Sequence, residues 1–199
     1  DIDEEMLGAN RPLQLGIVAD VYVFLRALND QLQSVKAQID FEPRQVALAG
    51  YHEQKARARA ELDRALASEA EPMHPAHVAP ICQRAFGDEA ILVIDGGNTA
   101  IWANFFHEVR RTNSIVTTPK MGMLGAGPGH AIGAKIAQPQ RPVYCIIGDG
   151  AMGFHPQELE TAVRVGANVV FLVLCDKQWG MVKMNQQFTI KPLQTFLTK

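Results

Sequence analysis

Residues 143–182 read VYCIIGDGAMGFHPQELETAVRVGANVVFLVLCDKQWGMV, and the pattern of this stretch decides the fold. Two continuous apolar runs, 143–147 (VYCII) and 169–174 (VVFLVL), flank the segment 156–165, where Leu159, Ala162 and Val163 fall on one face of a helix. Short apolar runs without polar alternation read as strands buried on both faces. Working outward, 129–136 reads as a helix of small residues and 91–94 (ILVI) as another buried strand. Before it, 77–86 reads as a helix that tolerates Pro80 only in its first turn. Strands alternating with helices predict an α/β fold, an open parallel sheet with helices on both faces.

In such sheets ligands bind outside the carboxyl ends of the strands. The unusual residues fall there: Asp95-Gly96-Gly97-Asn98-Thr99 after the first strand, Gly148-Asp149-Gly150 after the second, and Cys175-Asp176-Lys177-Gln178 after the third. Glycines on either side of an acid let the backbone turn sharply and approach a ligand closely. GDG alone is a weak signal, since the acid also serves as an ordinary turn residue. A second acid, Asp176, at the end of the next strand changes this. Adjacent parallel strands place both carboxylates on one edge of the sheet, where a hard divalent cation finds oxygen ligands.

The stretch from Gly148 to Asp176 resembles the signature of thiamine-diphosphate enzymes: GDG, a spacer, then an apolar strand and a turn. The interval from Asp149 to Asp176 matches that family's spacing between its two side-chain metal ligands, and Gly180-Met181-Val182 is similar to the acetohydroxyacid synthase branch. The resemblance implies that Asp149 and Asp176 bind Mg2+ through their side chains and Gln178 through its backbone carbonyl, the metal bridging to the diphosphate of thiamine diphosphate. Gly148, Gly150, Gly180 and Met181 would line the cofactor. Two residues depart from the family. Cys175-Asp176 stands where Asn-Asn is usual, which keeps the ligand oxygen, adds charge and admits Ca2+ as well as Mg2+. Ala151 stands where a hydroxyl often meets the phosphate, leaving its N–H for that contact.

Two further loops carry the resemblance. The run Met121-Gly122-Met123-Leu124-Gly125-Ala126-Gly127 resembles the segment in which a bulky apolar side chain wedges between the cofactor's two rings. Leu124 is the candidate wedge, with Met123 the alternative one position away. The Gly122 carbonyl and the Leu124 N–H would bond the aminopyrimidine. Gly97 to Trp102 resembles the loop that offers polar side chains to the terminal phosphate, with Asn98 and Thr99 as the candidates, although both are also ordinary cap residues. Asp95 lies near the same edge, but the resemblance puts the phosphate there, which a carboxylate would repel, so it is not taken as the acid that protonates the pyrimidine.

Toward the amino terminus, 12–19 (PLQLGIVA) reads as a short buried strand, and Asp20 as the cap of a helix with Val21, Phe24, Leu25, Leu28 and Leu32 at helical spacing. One strand and one helix have nothing to bury their faces against. The expected organisation is therefore the end of a preceding middle domain (1–38), a linker or solvated helix (39–74), and a cofactor-binding domain (75–199) cut short at its carboxyl end. The family's characteristic glutamate, which protonates the pyrimidine, comes from an amino-terminal domain of a neighbouring subunit. The resemblance thus implies a homodimer or homotetramer with the active site between subunits, and no catalytic residue of that type here.

The 199 residues, 47% hydrophobic with net charge -2, offer no basic face for nucleic acid and no apolar run long enough for a membrane span. Cys82, Cys145 and Cys175 are widely separated and two lie in apolar runs, which points to reduced thiols in a cytoplasmic setting. His107, His130 and His155 lack metal-ligand spacing and are given surface or packing roles. The expected activity is cleavage or ligation of a carbon–carbon bond in a 2-oxo acid, with a flavin requirement left open. The alternative is a binding module that holds the cofactor without turnover. A nicotinamide-dinucleotide domain is disfavoured, because no GxGxxG follows the first strand.

Overall fold

The computed structural model describes residues 2–118 and 122–189. By their internal contacts they fall into two compact units, residues 1–61 and 62–199.

The second unit is built on four parallel strands, β1 (Ile91–Asp95), β2 (Ile115–Thr117), β3 (Val143–Gly148) and β4 (Val170–Leu174), in the order β2-β1-β3-β4. The register pairs Asp95 with Ile147 and Gly148 with Leu174, so the strand ends come level along one edge. Around the sheet lie α3 (Val78–Phe86), α4 (Asn98–Phe106), α5 (Gly127–Ala137), the single turn α6 (Asp149–Met152), α7 (Glu158–Arg164) and α8 (Gly180–Thr189). Pro80 is the third residue of α3, inside the first turn, where its missing N–H costs no helical bond.

Strand alternation divides the core into two faces. Leu92, Ile94, Tyr144 and Ile146 pack with Ala79, Cys82, Ala103 and Phe106 of α3 and α4. Ile91, Val93, Val143, Cys145 and Ile147 pack with Ala131 of α5. Helices thus cover both faces, as the continuous apolar runs require. Phe86 stacks on Tyr144 with ring centroids 4.4 Å apart. At the amino-terminal edge, Arg141 donates to the carbonyls of Glu89, Ala90 and Asn113. That side of the sheet is closed by structural bonds.

Two sequence expectations for this unit need correction, and one strand was missed. β4 was expected to be buried on both faces, yet it is the edge strand of the described sheet, and Val170 and Val173 are exposed. On α7 only Ala162 is buried, against Ile132 and Ala167, while Leu159 and Val163 face solvent. A small residue is all that α7 presents there, so the larger neighbours stay outside. β2 was not anticipated, since three residues are too few to show a periodicity.

In the first unit, Asp20 caps α1 (Val21–Val35), its Oδ1 accepting from the N–H groups of Tyr22 and Val23 at 3.0 and 3.1 Å. Val21, Leu25, Leu28 and Leu32 are exposed. Residues 12–19 are not a strand: they run as irregular chain, exposed up to Val18, with Ala19 half-buried. A strand needs a neighbour to accept its ladder of hydrogen bonds, and the described residues of this unit contain none. Helix α2 (Glu42–Asp63) has no buried residue and carries an Arg57–Glu53 ion pair one turn apart, the pattern of a solvated helix.

Candidate functional site

The sheet order reverses between β1 and β3, since β1 leads to β2 on one side and β3 leads to β4 on the other. At such a switch point the chains leaving neighbouring strands diverge and open a crevice. Gly96, at φ +112, leaves β1 so close to Gly148 that a Cβ there would lie 3.2 Å from the Gly148 nitrogen. A Cβ on Gly148 would in turn meet Thr99 Oγ1 at 3.1 Å, and one on Gly97 would meet Met181 Cβ at 2.6 Å. Side chains are excluded here, and the backbone forms the walls.

Asn98, Thr99, Leu124, Gly148, Asp149, Gly150, Ala151, Asp176, Gln178, Gly180 and Met181 all line this one crevice, which holds about 430 Å³ of empty space and opens to solvent. Gly122 is not among the lining residues; it is exposed, at φ +55, with its N–H bonded to the Thr118 carbonyl at 3.1 Å. Leu124 is half-buried and lines the crevice, whereas Met123 beside it is exposed and does not. Met121 lies outside the described residues.

The two carboxylates are held by backbone. Asp149 Oδ1 accepts from the Gly150 N–H at 2.9 Å, and its Oδ2 accepts from the Lys177 N–H at 3.1 Å and from the Cys175 thiol at 3.5 Å. The loop after β4 is therefore hung on the acid of the loop after β3. Asp176 Oδ1 accepts from the Gln178 N–H at 3.2 Å, and its Oδ2 would be 2.7 Å from a Cβ on Gly180. Lys177 takes a left-handed conformation, φ +57, to make this turn. The Gln178 side chain accepts from Lys183 Nζ at 2.8 Å.

Whether this set fits a metal-bridged diphosphate can be judged from its chemistry. Among the described residues no three His, Cys, Asp or Glu side chains gather as a self-sufficient metal cage. Asp149 and Asp176 both line the crevice and offer only oxygen atoms, the ligand type that Mg2+ or Ca2+ would take together with phosphate oxygens. The glycine-walled crevice also receives the amino-terminal ends of α4 and α8, whose free N–H groups favour anions. Two acids beside an anion-favouring backbone form a crevice whose opposed charges a cation between them would balance. The residues fit the group.

Asp95 was read as a source of repulsion, and the structure corrects that. It is 3% exposed, and its Oδ1 accepts from the Gly96 N–H at 2.6 Å. Its Oδ2 accepts from Gly125 N–H at 2.9 Å and Gly127 N–H at 2.7 Å. The charge is spent on amides of its own scaffold, and Asp95 is not a lining residue of the crevice. The run Gly122 to Gly127 was the available signal, since such a turn offers N–H groups to an acceptor. His155, given a packing role, donates from Nδ1 to the Gly125 carbonyl at 2.9 Å. Cys145, fully buried beside Asp95, has its thiol pushed up to about 12, by burial first and by the Asp95 charge second. Phe154 and Trp179, with ring centroids 5.9 Å apart, border the space next to Asp149 and Gly150.

A glycine-built crevice at the switch point of a parallel sheet, with paired acids and helix amino termini, defines a phosphate-ligand-binding α/β domain. Residues 95–195 match the family described as "Thiamine pyrophosphate enzyme, C-terminal TPP binding domain", and the chain belongs to it. The chain is 34% identical over 124 residues to mouse 2-hydroxyacyl-CoA lyase 2, covering 62% of this chain and 20% of that protein. It is 35% identical over 112 residues to the acetolactate synthase large subunit IlvG of Mycobacterium tuberculosis, covering 56% and 20%. To the putative thiamine pyrophosphate-containing protein YdaP of Bacillus subtilis it is 25% identical over 187 residues, covering 94% and 31%. The chain thus spans about a fifth to a third of the length of these relatives. No helix among the described residues is long and apolar enough to cross a membrane.

Proposed function

We propose that the chain supplies the diphosphate- and metal-binding part of an enzyme that cleaves or forms a carbon–carbon bond next to the carbonyl of a 2-oxo acid or a related acyl compound. The observation that carries this reading is the convergence of Asp149, Asp176 and the Asn98-Thr99 helix start on one glycine-walled crevice. Asp149 and Asp176 would hold Mg2+ by their side chains and Gln178 by its carbonyl. Asn98 and Thr99 would take the terminal phosphate, and the Ala151 N–H a phosphate oxygen beside it, with Gly150 lining the wall and its own N–H held by Asp149. Gly148, Gly180 and Met181 would shape the wall. Leu124 would set the angle between the cofactor's rings, with the Gly122 carbonyl and the Leu124 N–H on the aminopyrimidine. When bound, thiamine diphosphate supplies the electron sink for the bond change, and the protein supplies orientation and charge. The site is completed between subunits of a homo-oligomer in this reading, and the separate free thiols suit a reducing, cytoplasmic setting.

The relatives' names include a lyase and a synthase, so both directions of the chemistry are tested. The intact protein, given thiamine diphosphate and Mg2+, is incubated with pyruvate or with a 2-hydroxyacyl-CoA, and products are followed by mass spectrometry. We expect cofactor-dependent turnover of one of the two classes, lost in Asp149→Ala. Tight cofactor binding with no turnover of either class would favour a non-catalytic binding module.

A further inference from the structure

We propose that Asp95 is a positioning residue that fixes the loop 122–127 before any ligand arrives, so that the ring-binding half of the crevice is set independently of the diphosphate half. This rests on the reading of the crevice given above. Asp95 ends β1 and, among the described residues, is one of two buried polar or charged ones, the other being Ser114. A buried carboxylate is sustained only by strong compensation, and three backbone N–H groups, from Gly96, Gly125 and Gly127, provide it. Two of those donors lie in the loop that carries Leu124.

The loop is gripped from the other side as well. Gly125 has its N–H on Asp95 and its carbonyl on His155 Nδ1, so both backbone polar groups of the residue after Leu124 are fixed. No side chain is tolerated at that point: a Cβ would lie 2.5 Å from Phe154 Cβ and 2.8 Å from His155 Nδ1, at φ +88. Gly127 opens α5, whose cap residue Ala126 makes no side-chain bond to the helix. Asp95 provides that missing acceptor from a different element, and a Cβ on Gly127 would sit 2.8 Å from Asp95 Cβ. The carboxylate thus joins the end of β1 to the start of α5 and holds between them the loop from which Leu124 reaches the crevice. Asp149 and Asp176 are fixed by separate bonds, to Gly150, Lys177 and Gln178. The two acids of the diphosphate half therefore have supports of their own, and Asp95 reaches that half only through the Gly96 N–H, two residues before Asn98.

Two ligands distinguish the halves: inorganic pyrophosphate engages the diphosphate half alone, and thiamine diphosphate engages both. Calorimetric titrations of the intact protein in Mg2+ compare wild type, Asp95→Ala, Asp95→Asn and Asp149→Ala. We expect Asp95→Ala to bind pyrophosphate within about twofold of wild type and thiamine diphosphate about tenfold more weakly, the factor expected when a loosened loop must be re-ordered on binding. Asp95→Asn, which keeps one acceptor oxygen, should fall between them. Amide exchange at Gly125 and Gly127 should quicken in both variants while that of β3 stays unchanged. Parallel loss of both ligands, or no loss of either, in the Asp95 variants overturns the positioning role alone. Wild type that binds neither ligand, or Asp149→Ala that binds both as wild type does, overturns the reading of the crevice and this inference with it. Should Asp95→Ala not fold, Asp95→Asn carries the same comparison.

Discussion

Leu124 and the three cysteines show how single positions take different roles from similar chemistry. Leu124 and Met123 are both large and apolar, yet only Leu124 lines the crevice while also packing against the core beneath it. Replacing it with Ala should leave the diphosphate anchored and remove the surface that shapes the rings. We expect thiamine diphosphate affinity to change by less than about threefold while turnover falls by more than about tenfold, the signature of lost transition-state rather than ground-state binding. Equal losses in steady-state turnover and calorimetric affinity would show that Leu124 is plain packing. The thiols separate by burial. Cys145, pushed up to about 12, and Cys82, raised by burial, stay protonated and covered at neutral pH, whereas Cys175 is exposed. A thiol reagent at pH 8 should therefore label Cys175 quickly and the other two only on unfolding. Rapid labelling of all three, followed by peptide mapping, would contradict the packing of β3. At this scale the acids of the GDG and Asp176 turns were legible because their interval is a sequence property. Asp95 was misread, because whether a carboxylate faces a ligand or its own amides depends on a neighbouring loop that sequence distance hides.

At the scale of elements, apolar runs and glycine turns located β1, β3 and β4 and the helices α3, α5 and α7, whereas α4, α6 and α8 were not anticipated. What they could not convey was position within the sheet. The run VVFLVL is as apolar as VYCII, yet one is the edge of the described sheet and the other is central. Composition records that a strand can be buried, and topology decides whether it is. Residues 12–19 make the same point more sharply, since an apolar run with no strand to pair with stays irregular. This difference is measurable. Ile146, 1% exposed on β3, should cost about 2–5 kcal/mol when cut to Ala, through lost burial and the cavity left behind. Val163, 82% exposed on α7, should cost less than about 0.5 kcal/mol when cut to Ala. Urea denaturation of the two variants compares them directly. Similar costs would mean that α7 is buried in solution.

For the molecule as a whole, the order β2-β1-β3-β4 puts the reversal of the sheet between the Asp95-Gly96 and Gly148-Asp149 turns, and the loop after β4 folds back onto Asp149 through Lys177. Three segments distant in sequence meet for that reason, and the sequence made their convergence legible through the turns at the strands' carboxyl ends and through the family resemblance. If the crevice holds a diphosphate through a divalent cation, the two acids cannot favour an anion without the metal. The decisive measurement is calorimetric titration of the intact protein with thiamine diphosphate, with Mg2+ present and with Mg2+ removed by chelator, for wild type and Asp149→Ala. We expect wild type to bind at least about a hundredfold more tightly with Mg2+, a coupling of about 2.7 kcal/mol or more, and Asp149→Ala to lose that difference. Equal affinity with and without the metal in wild type, or a full metal effect surviving in Asp149→Ala, would contradict the assignment of this crevice.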